Sequence, residues 1–267
     1  MTPARAAQPL PLHDALQIPT PASGRPALIA TVGGGGKTTL LFALAAERAS
    51  ADQAGASPRL AVLTTTTRFT IPPQAASLPL VLAADPLARA AEISVTTAPT
   101  VIVGSRRGER GRVRGVEPEW PAQALGLDHV DFVAVEADGS AGRPFKAPAD
   151  HEPVIPHDAS HIIAVVGVQA LAKPLDARSV HRPQRVRAIV GETDVVTAHV
   201  TAKIIAHVLA HPNGGRKNVP PDAQFAVAIT HAMRDRDGAA AIALACHAAG
   251  IDRVIEYDAQ AGLVRTI

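Results

Sequence analysis

The stretch that most constrains this chain is Gly33-Gly34-Gly35-Gly36-Lys37-Thr38-Thr39, placed directly after the apolar run Ala27-Leu28-Ile29-Ala30-Thr31-Val32. The run is short, apolar and partly β-branched, which suits a strand buried on both faces, whereas Leu40, Leu41 and Leu44 recur at helical spacing. Strand, glycine loop and helix therefore follow in order. In that order the unpaired amides of the helix start converge on one point, where the helix dipole also favours negative charge. Glycine lets the backbone approach that charge closely. The residues from Gly33 to Thr39 thus read as a cradle for nucleotide phosphates, with the Lys37 ammonium reaching the β and γ phosphates and the Thr38 hydroxyl ligating a magnesium ion.

The common form of such a loop begins with a glycine five residues before Gly36, a position held here by Thr31; Gly33 comes two residues later. This shorter spacing resembles the loop of ATP-dependent Mur-type ligases. A glycine-rich turn beside an ordinary surface lysine is the simpler alternative, but it leaves the preceding strand, the following helix and Thr38 unexplained together.

Composition narrows the rest. With 267 residues, 47% of them hydrophobic, the chain can bury one sizeable core. Five Phe, one Tyr and one Trp are too few to fill it, so packing rests on Ala, Val, Leu and Ile, as in alternating parallel strands and helices. A formal net charge of +2 gives no bulk attraction to nucleic acid, which is not expected as a partner. No stretch reaches membrane-spanning length and the N-terminal residues lack the apolar core of a secretory signal, so the expected location is cytoplasmic, without a membrane partner. Cys246 stands alone, which excludes an internal disulfide and a cysteine metal cluster, and it reads as a small core residue.

Residues 1–24, rich in Pro and Ala, read as a flexible leader with a short helix around Leu12–Leu16, and residues 25–267 as a single nucleotide-binding domain. Beyond the first strand, further strands are expected at Arg59–Thr64, Pro79–Ala83, Thr100–Val103, Asp131–Ala137, His161–Val166, Phe225–Thr230 and Arg253–Tyr257, with helical patterns between most of them. The expected fold is α/β, a P-loop NTPase-like three-layer sandwich whose mainly parallel sheet binds ligands at its carboxyl edge. A small β-hairpin insertion is expected where Arg106, Arg107, Arg110, Arg112 and Arg114 crowd a glycine-spaced segment. Without interleaved aromatics that segment reads as a solvated arm, the alternative being a patch for an anionic partner. Between Pro144 and Pro156 the prolines recur too often for helix or central strand, so an irregular loop is expected there.

A second constellation is Asp131-Phe132-Val133-Ala134-Val135-Glu136-Ala137-Asp138, an apolar strand ending in two carboxylates on one face. Acidic strand ends are often plain solvated caps. Next to a loop such as Lys37's, however, Glu136 can hold magnesium, and Glu136 and Asp138 can orient an attacking group. Thr64-Thr65-Thr66-Thr67-Arg68 closes the second strand. Threonine favours strands in any case, but at the carboxyl edge Thr65, Thr66 and Arg68 are also candidates to sense phosphate.

With Val180-His181-Arg182, Gly214-Gly215-Arg216-Lys217 and above all the segment Glu136 to Pro156, these motifs resemble the accessory proteins of selenium-dependent molybdenum hydroxylases, the YqeC-type selenium cofactor biosynthesis family. The resemblance runs from about Leu12 to the C-terminus. It implies a P-loop nucleotide-binding protein that assists maturation of a molybdenum hydroxylase or its cofactor; the family's own reaction does not follow from it. The segment from Ser140 to Pro156 is expected beside the γ-phosphate, making Lys146, His151 and Glu152 candidates for holding a second substrate or coupling hydrolysis to movement. His181 and Arg182 are placed to reach an anion. His207 and His211 lie one helical turn apart with His199 two turns earlier; a metal site is the alternative there, but with no further protein ligand evident they read as surface or satisfied core histidines. Thr230-His231-Ala232-Met233 stands where many P-loop proteins carry a guanine-reading motif, which favours ATP over GTP. Three activities remain open: an NTP-dependent accessory factor, a Mur-like ligase or small-molecule kinase, and a nucleotide-binding module without turnover.

Overall fold

Strand β1 (Ala27–Gly33) lies near the middle of a nine-stranded sheet in a computed structural model that describes residues 10–20, 23, 25–51, 59–191 and 198–267. The chain continues through α2 (Lys37–Ala51), β2 (Leu60–Thr65), β3 (Arg68–Phe69), β4 (Leu80–Leu82), α3 (Pro86–Ser94), β5 (Thr100–Gly104), β6 (Arg106–Arg107), β7 (Val113–Arg114), α4 (Trp120–Leu125) and β8 (Val130–Glu136). It then passes β9 (Phe145–Lys146), β10 (His161–Gly167), β11 (Val180–His181), α5 (Pro183–Val190), α6 (Ala202–Ala210), β12 (Gln224–Thr230), α7 (Arg236–Ala248), β13 (Val254–Asp258) and β14 (Leu263–Thr266). The sheet order is β14-β13-β12-β10-β1-β8-β2-β5-β4, and every pairing in it is parallel except β13 with β14. The expected α/β sandwich with a mainly parallel sheet is therefore the observed architecture.

Side-chain alternation divides the core. Leu28, Ala30 and Val32 of β1 join one apolar cluster with Trp120, Ile205 and Ile242, whereas Ala27 and Ile29 join another with Leu40, Leu41 and Leu44 of α2. Helices thus cover both faces of the sheet, which suits strands that are apolar at almost every position. Each of the three buried leucines contributes about 1.5–3 kcal/mol of transfer free energy, enough to fix α2 over the sheet. A buried ion pair adds register: Arg48 of α2 reaches Asp131 at the root of β8, Nη2 to Oδ2 2.6 Å, with its guanidinium over the Phe132 ring. Helix starts follow ordinary rules, as where Asp235 accepts from the Gly238 amide at 2.8 Å and Asp85 accepts from Leu87 ahead of Pro86.

The short helix expected at Leu12–Leu16 is present as α1. It is docked rather than loose: Leu12, Ala15, Leu16 and Ile18 are buried, and Glu47 of α2 accepts from the amides of Leu12 and His13 at 2.8 and 3.1 Å. Residues 1–9, 21, 22 and 24 of the expected leader lie outside the described residues. The arginine-rich segment forms the expected hairpin, β6 with β7, and β3 joins it as a third antiparallel strand. Residues 144–156 form the expected irregular connection apart from β9, which pairs with β11. That connection leaves β8 on one side of β1 and returns to β10 on the other, so the carboxyl end of β1 lies where the strand order reverses.

Candidate functional site

At the carboxyl end of β1 the chain turns into α2 through backbone that only glycine adopts comfortably. Gly33 and Gly35 have φ of +92° and +90°, and a Cβ on either would stand 2.3 Å from the Val165 carbonyl oxygen or 2.5 Å from the Gly167 nitrogen. The turn is fastened from both sides. Asp138 accepts from the Gly33 amide at 3.0 Å, the Val165 carbonyl accepts from the Gly34 amide at 2.8 Å, and the Thr230 hydroxyl donates to the Gly35 carbonyl. The next five amides, from Gly35 to Thr39, have no protein acceptor among the described residues. They sit at the positive end of the 15-residue helix α2, an arrangement that attracts an anion.

Charges beside the turn form one chain of contacts. Lys37 Nζ donates to the Gly33 carbonyl at 2.6 Å and lies 3.2 Å from Asp138 Oδ1 and 3.9 Å from Glu136 Oε1. Burial works against its ammonium, but the Asp138 and Glu136 carboxylates outweigh that and hold its pKa above the ordinary lysine value. Thr38 donates to Glu136 Oε2 at 2.5 Å. Burial raises the Glu136 pKa, against the opposing pull of Lys37 and the Thr38 hydroxyl. Asp138 Oδ2 lies 3.0 Å from Lys146 Nζ, which in turn donates to Glu152 Oε2 at 2.6 Å and to the Gly139 carbonyl at 2.7 Å. Arg182 closes the chain with a two-pronged contact to Glu152 at 2.7 and 3.1 Å. Burial disfavours the Glu152 carboxylate, yet hydrogen bonds from Arg182 and Lys146 bring its pKa down to about 2.

Gly35 and Gly36 of the glycine turn, with Lys37, Thr38, Thr39, Glu136, His151, Glu152, His181 and Arg182, line a single cleft of about 770 Å³. The residues singled out from sequence are therefore brought together around the turn, with Asp138 and Lys146 buried just behind the cleft wall. Thr65 and Thr66 are placed differently. Their hydroxyls donate to the main-chain carbonyls of Glu136, at 2.7 Å, and Val154, at 2.6 Å, tying β2 to β8 and to the following loop. Thr67 and Arg68, one step further along, line the cleft instead. His207 and His211 lie away from it with ring centroids 5.6 Å apart, and among the described residues no group of three or more His, Cys, Asp or Glu is arranged to hold a metal by itself.

Sequence reasoning missed Gln169, and it read Thr230 only as the end of a strand where a guanine-reading motif would begin, not as a residue that holds the turn. Thr230 closes β12 and secures the glycine turn across 195 residues of sequence. Gln169 follows β10, lines the cleft, and has a buried Oε1 without a hydrogen-bond partner. Neither stands in a local pattern; only the end-of-strand position of Thr230 offered a signal. Lys217, part of the Gly214-Gly215-Arg216-Lys217 run, supports the proline loop from outside by donating to the carbonyls of Ala149 and Asp150 at 2.6 and 2.8 Å.

Among the described residues no helix is long and apolar enough to cross a membrane. No solved structure matches the chain. The "Uncharacterized protein YqeC" of Escherichia coli (strain K12) is 36% identical over 207 residues, which cover 78% of this chain and 77% of that protein. The family described as "YqeC protein" matches residues 29–184, a span that contains the glycine turn, both carboxylates of β8's end and the proline loop. On these grounds the chain belongs to the YqeC family.

Proposed function

We propose that the glycine turn holds the phosphates of a magnesium-bound nucleoside triphosphate, ATP in preference to GTP, and that the chain is an NTP-dependent accessory factor. Its partner on this reading is a selenium- or molybdenum-containing hydroxylase, or the machinery that matures its cofactor, as the family resemblance implies. The run of five unaccepted amides from Gly35 to Thr39, ending in the buried Lys37–Asp138–Glu136 group, carries the reading.

The residues present suit a magnesium ion. Thr38 Oγ1, at the start of α2, and Glu136 Oε2, at the end of β8, are hard oxygen donors 2.5 Å apart, and Asp138 Oδ1 is buried without an aligned hydrogen bond. Thr38 and Glu136 would hold the ion, whose charge offsets that of the phosphate oxygens. Lys37, now held by the Gly33 carbonyl and Asp138, has a short reach to the outer phosphates and stays charged throughout the neutral range. Asp138 and Lys146 fix each other behind it. Glu152 and Arg182 line the same cleft and are candidates to meet a second substrate or a moving segment beside the terminal phosphate. A Mur-like ligase or small-molecule kinase is the second reading, favoured by a cleft that extends well beyond the glycine turn. ADP formation that depends on a particular small acid would select it.

Calorimetric titration of ATP with magnesium into the wild type and Lys37→Ala tests the first reading. Loss of a charged hydrogen-bond donor is expected to weaken binding by about tenfold or more. Because that change strands two buried carboxylates, Thr38→Val serves as the shape-preserving companion and should lose the magnesium-dependent part of the affinity. Undiminished, magnesium-dependent affinity in both folded variants would remove the assigned loop.

A further inference from the structure

The cations that line the cleft differ in one respect. Lys37 is paired with Asp138 and Arg182 with Glu152, but Arg68, Arg112 and Arg114 have no carboxylate within ion-pair distance and make no side-chain hydrogen bond among the described residues. All three are exposed.

Their placement is costly without an anion. In the three-stranded sheet β3-β7-β6, Arg68 stands directly across from Arg114, and Arg114 directly across from Arg106, so three like charges share one row. Like charges in direct register destabilise antiparallel strands. The opposite face explains the strands themselves: Phe69 and Val113, also in register, are buried in the core. Packing therefore requires the apolar face and is indifferent to what stands on the other. Arginines there present flat, multi-donor forks suited to phosphate oxygens.

The row is also tied to the glycine turn's own carboxylate. Gly115 and Val116, just after β7, donate to the carbonyls of Thr67 and Thr65 at 2.9 Å each, and the Thr65 hydroxyl donates to the Glu136 carbonyl at 2.7 Å. A Cβ on Gly115 would stand 2.5 Å from the Thr66 carbonyl carbon, so the hairpin can pack this closely only with glycine at that position.

We propose that Arg68, Arg112 and Arg114 form a second anion site in the cleft, which binds a phosphate-bearing small molecule alongside the nucleotide. The inference rests on the nucleotide reading above and extends it: the second substrate carries a phosphate or diphosphate group, held by the hairpin with its remaining atoms toward the glycine turn. An arginine contact to the nucleotide's own phosphates is the competing source of the same chemistry, and the test separates the two.

The wild type is first titrated with the magnesium complex of the non-hydrolysable analogue AMP-PNP, and the saturated protein is then titrated with inorganic pyrophosphate, followed by calorimetry. One further pyrophosphate is expected to bind, with an affinity that falls as salt is raised. The double variant Arg112→Ala/Arg114→Ala should lose that second binding by about tenfold or more while its affinity for the AMP-PNP complex changes by less than about threefold. Its melting temperature should equal or exceed that of the wild type, since a like-charge contact is relieved. Failure of the saturated wild type to bind pyrophosphate overturns the inference alone. A loss of AMP-PNP affinity of tenfold or more in the double variant also overturns it, assigning the arginines to the nucleotide. Absence of AMP-PNP binding by the wild type overturns the nucleotide reading, and the second site with it.

Discussion

Lys146→Met is the most revealing single change outside the glycine turn. The side chain is almost fully buried and its ammonium lies 2.6 Å from Glu152 Oε2 and 3.0 Å from Asp138 Oδ2. At an effective dielectric of about 20, those separations correspond to roughly 6 kcal/mol of attraction to each carboxylate, most of it offset by the cost of removing three charges from water. Methionine keeps the volume but leaves Asp138 and the Gly139 carbonyl without that donor. Removing one partner of a buried pair typically costs about 3–5 kcal/mol, which for a chain of 267 residues corresponds to a fall in melting temperature of about 5–9 °C. Glu152→Gln in the same background should recover part of the loss, because it removes one of the stranded charges while Arg182 still has an acceptor. Chemical denaturation of the wild type, both single variants and the double variant measures this as a coupling free energy. A Lys146→Met protein within about 1 kcal/mol of the wild type, or strictly additive variants, would refute the view that Lys146 neutralises the acid groups behind the cleft.

Further outcomes follow from the same geometry. Gly35→Ala places a Cβ 2.5 Å from the Gly167 nitrogen at a φ of +90°, so it should cost about 1–3 kcal/mol of stability and weaken nucleotide binding, read by thermal melting and titration. Glu152 has a folded-state pKa of about 2 against an ordinary 4.5; its contribution is complete above the unfolded value and disappears as pH falls from about 4.5 to 2. Glu152→Gln should accordingly flatten the acid limb of the stability profile within that window and leave the alkaline limb unchanged. Arg48→Met strands the Asp131 carboxylate between α2 and β8 and should lower stability by about 3–5 kcal/mol without altering nucleotide affinity, which separates scaffold from site.

Much of this was legible in the chain itself. Apolar runs four to seven residues long marked the parallel strands, because strands buried on both faces need no polar alternation. Glu136 and Asp138 could be placed beside Lys37 from sequence because a strand ending in acids has few other neighbours at a sheet's carboxyl edge. Strands of two residues, such as β3, β9 and β11, carry too short a pattern to read, and β14 is a four-residue edge strand whose only sheet partner is β13. The threonine run illustrates a finer limit. Four consecutive hydroxyls gave no hint that Thr65 and Thr66 would bind main-chain carbonyls while Thr67 and Arg68 faced the cleft. Tertiary neighbours decide that choice. Likewise, Leu12, Leu16 and Ile18 were obscured by the surrounding proline and alanine, and their burial depends on the acceptor that Glu47 provides from α2. The arginine row exists only through the register of β3, β7 and β6, which no local spacing encodes.

The central claim concerns the five free amides between Gly35 and Thr39, and amide-resolved NMR reports on them directly. Titration of ¹⁵N-labelled protein with the magnesium complex of AMP-PNP should move the Gly35, Gly36, Lys37 and Thr38 amide protons downfield, in proportion to occupancy, as each gains a phosphate acceptor. Amide signals from this turn that stay fixed while the analogue binds elsewhere, or at millimolar analogue without any response, would contradict it.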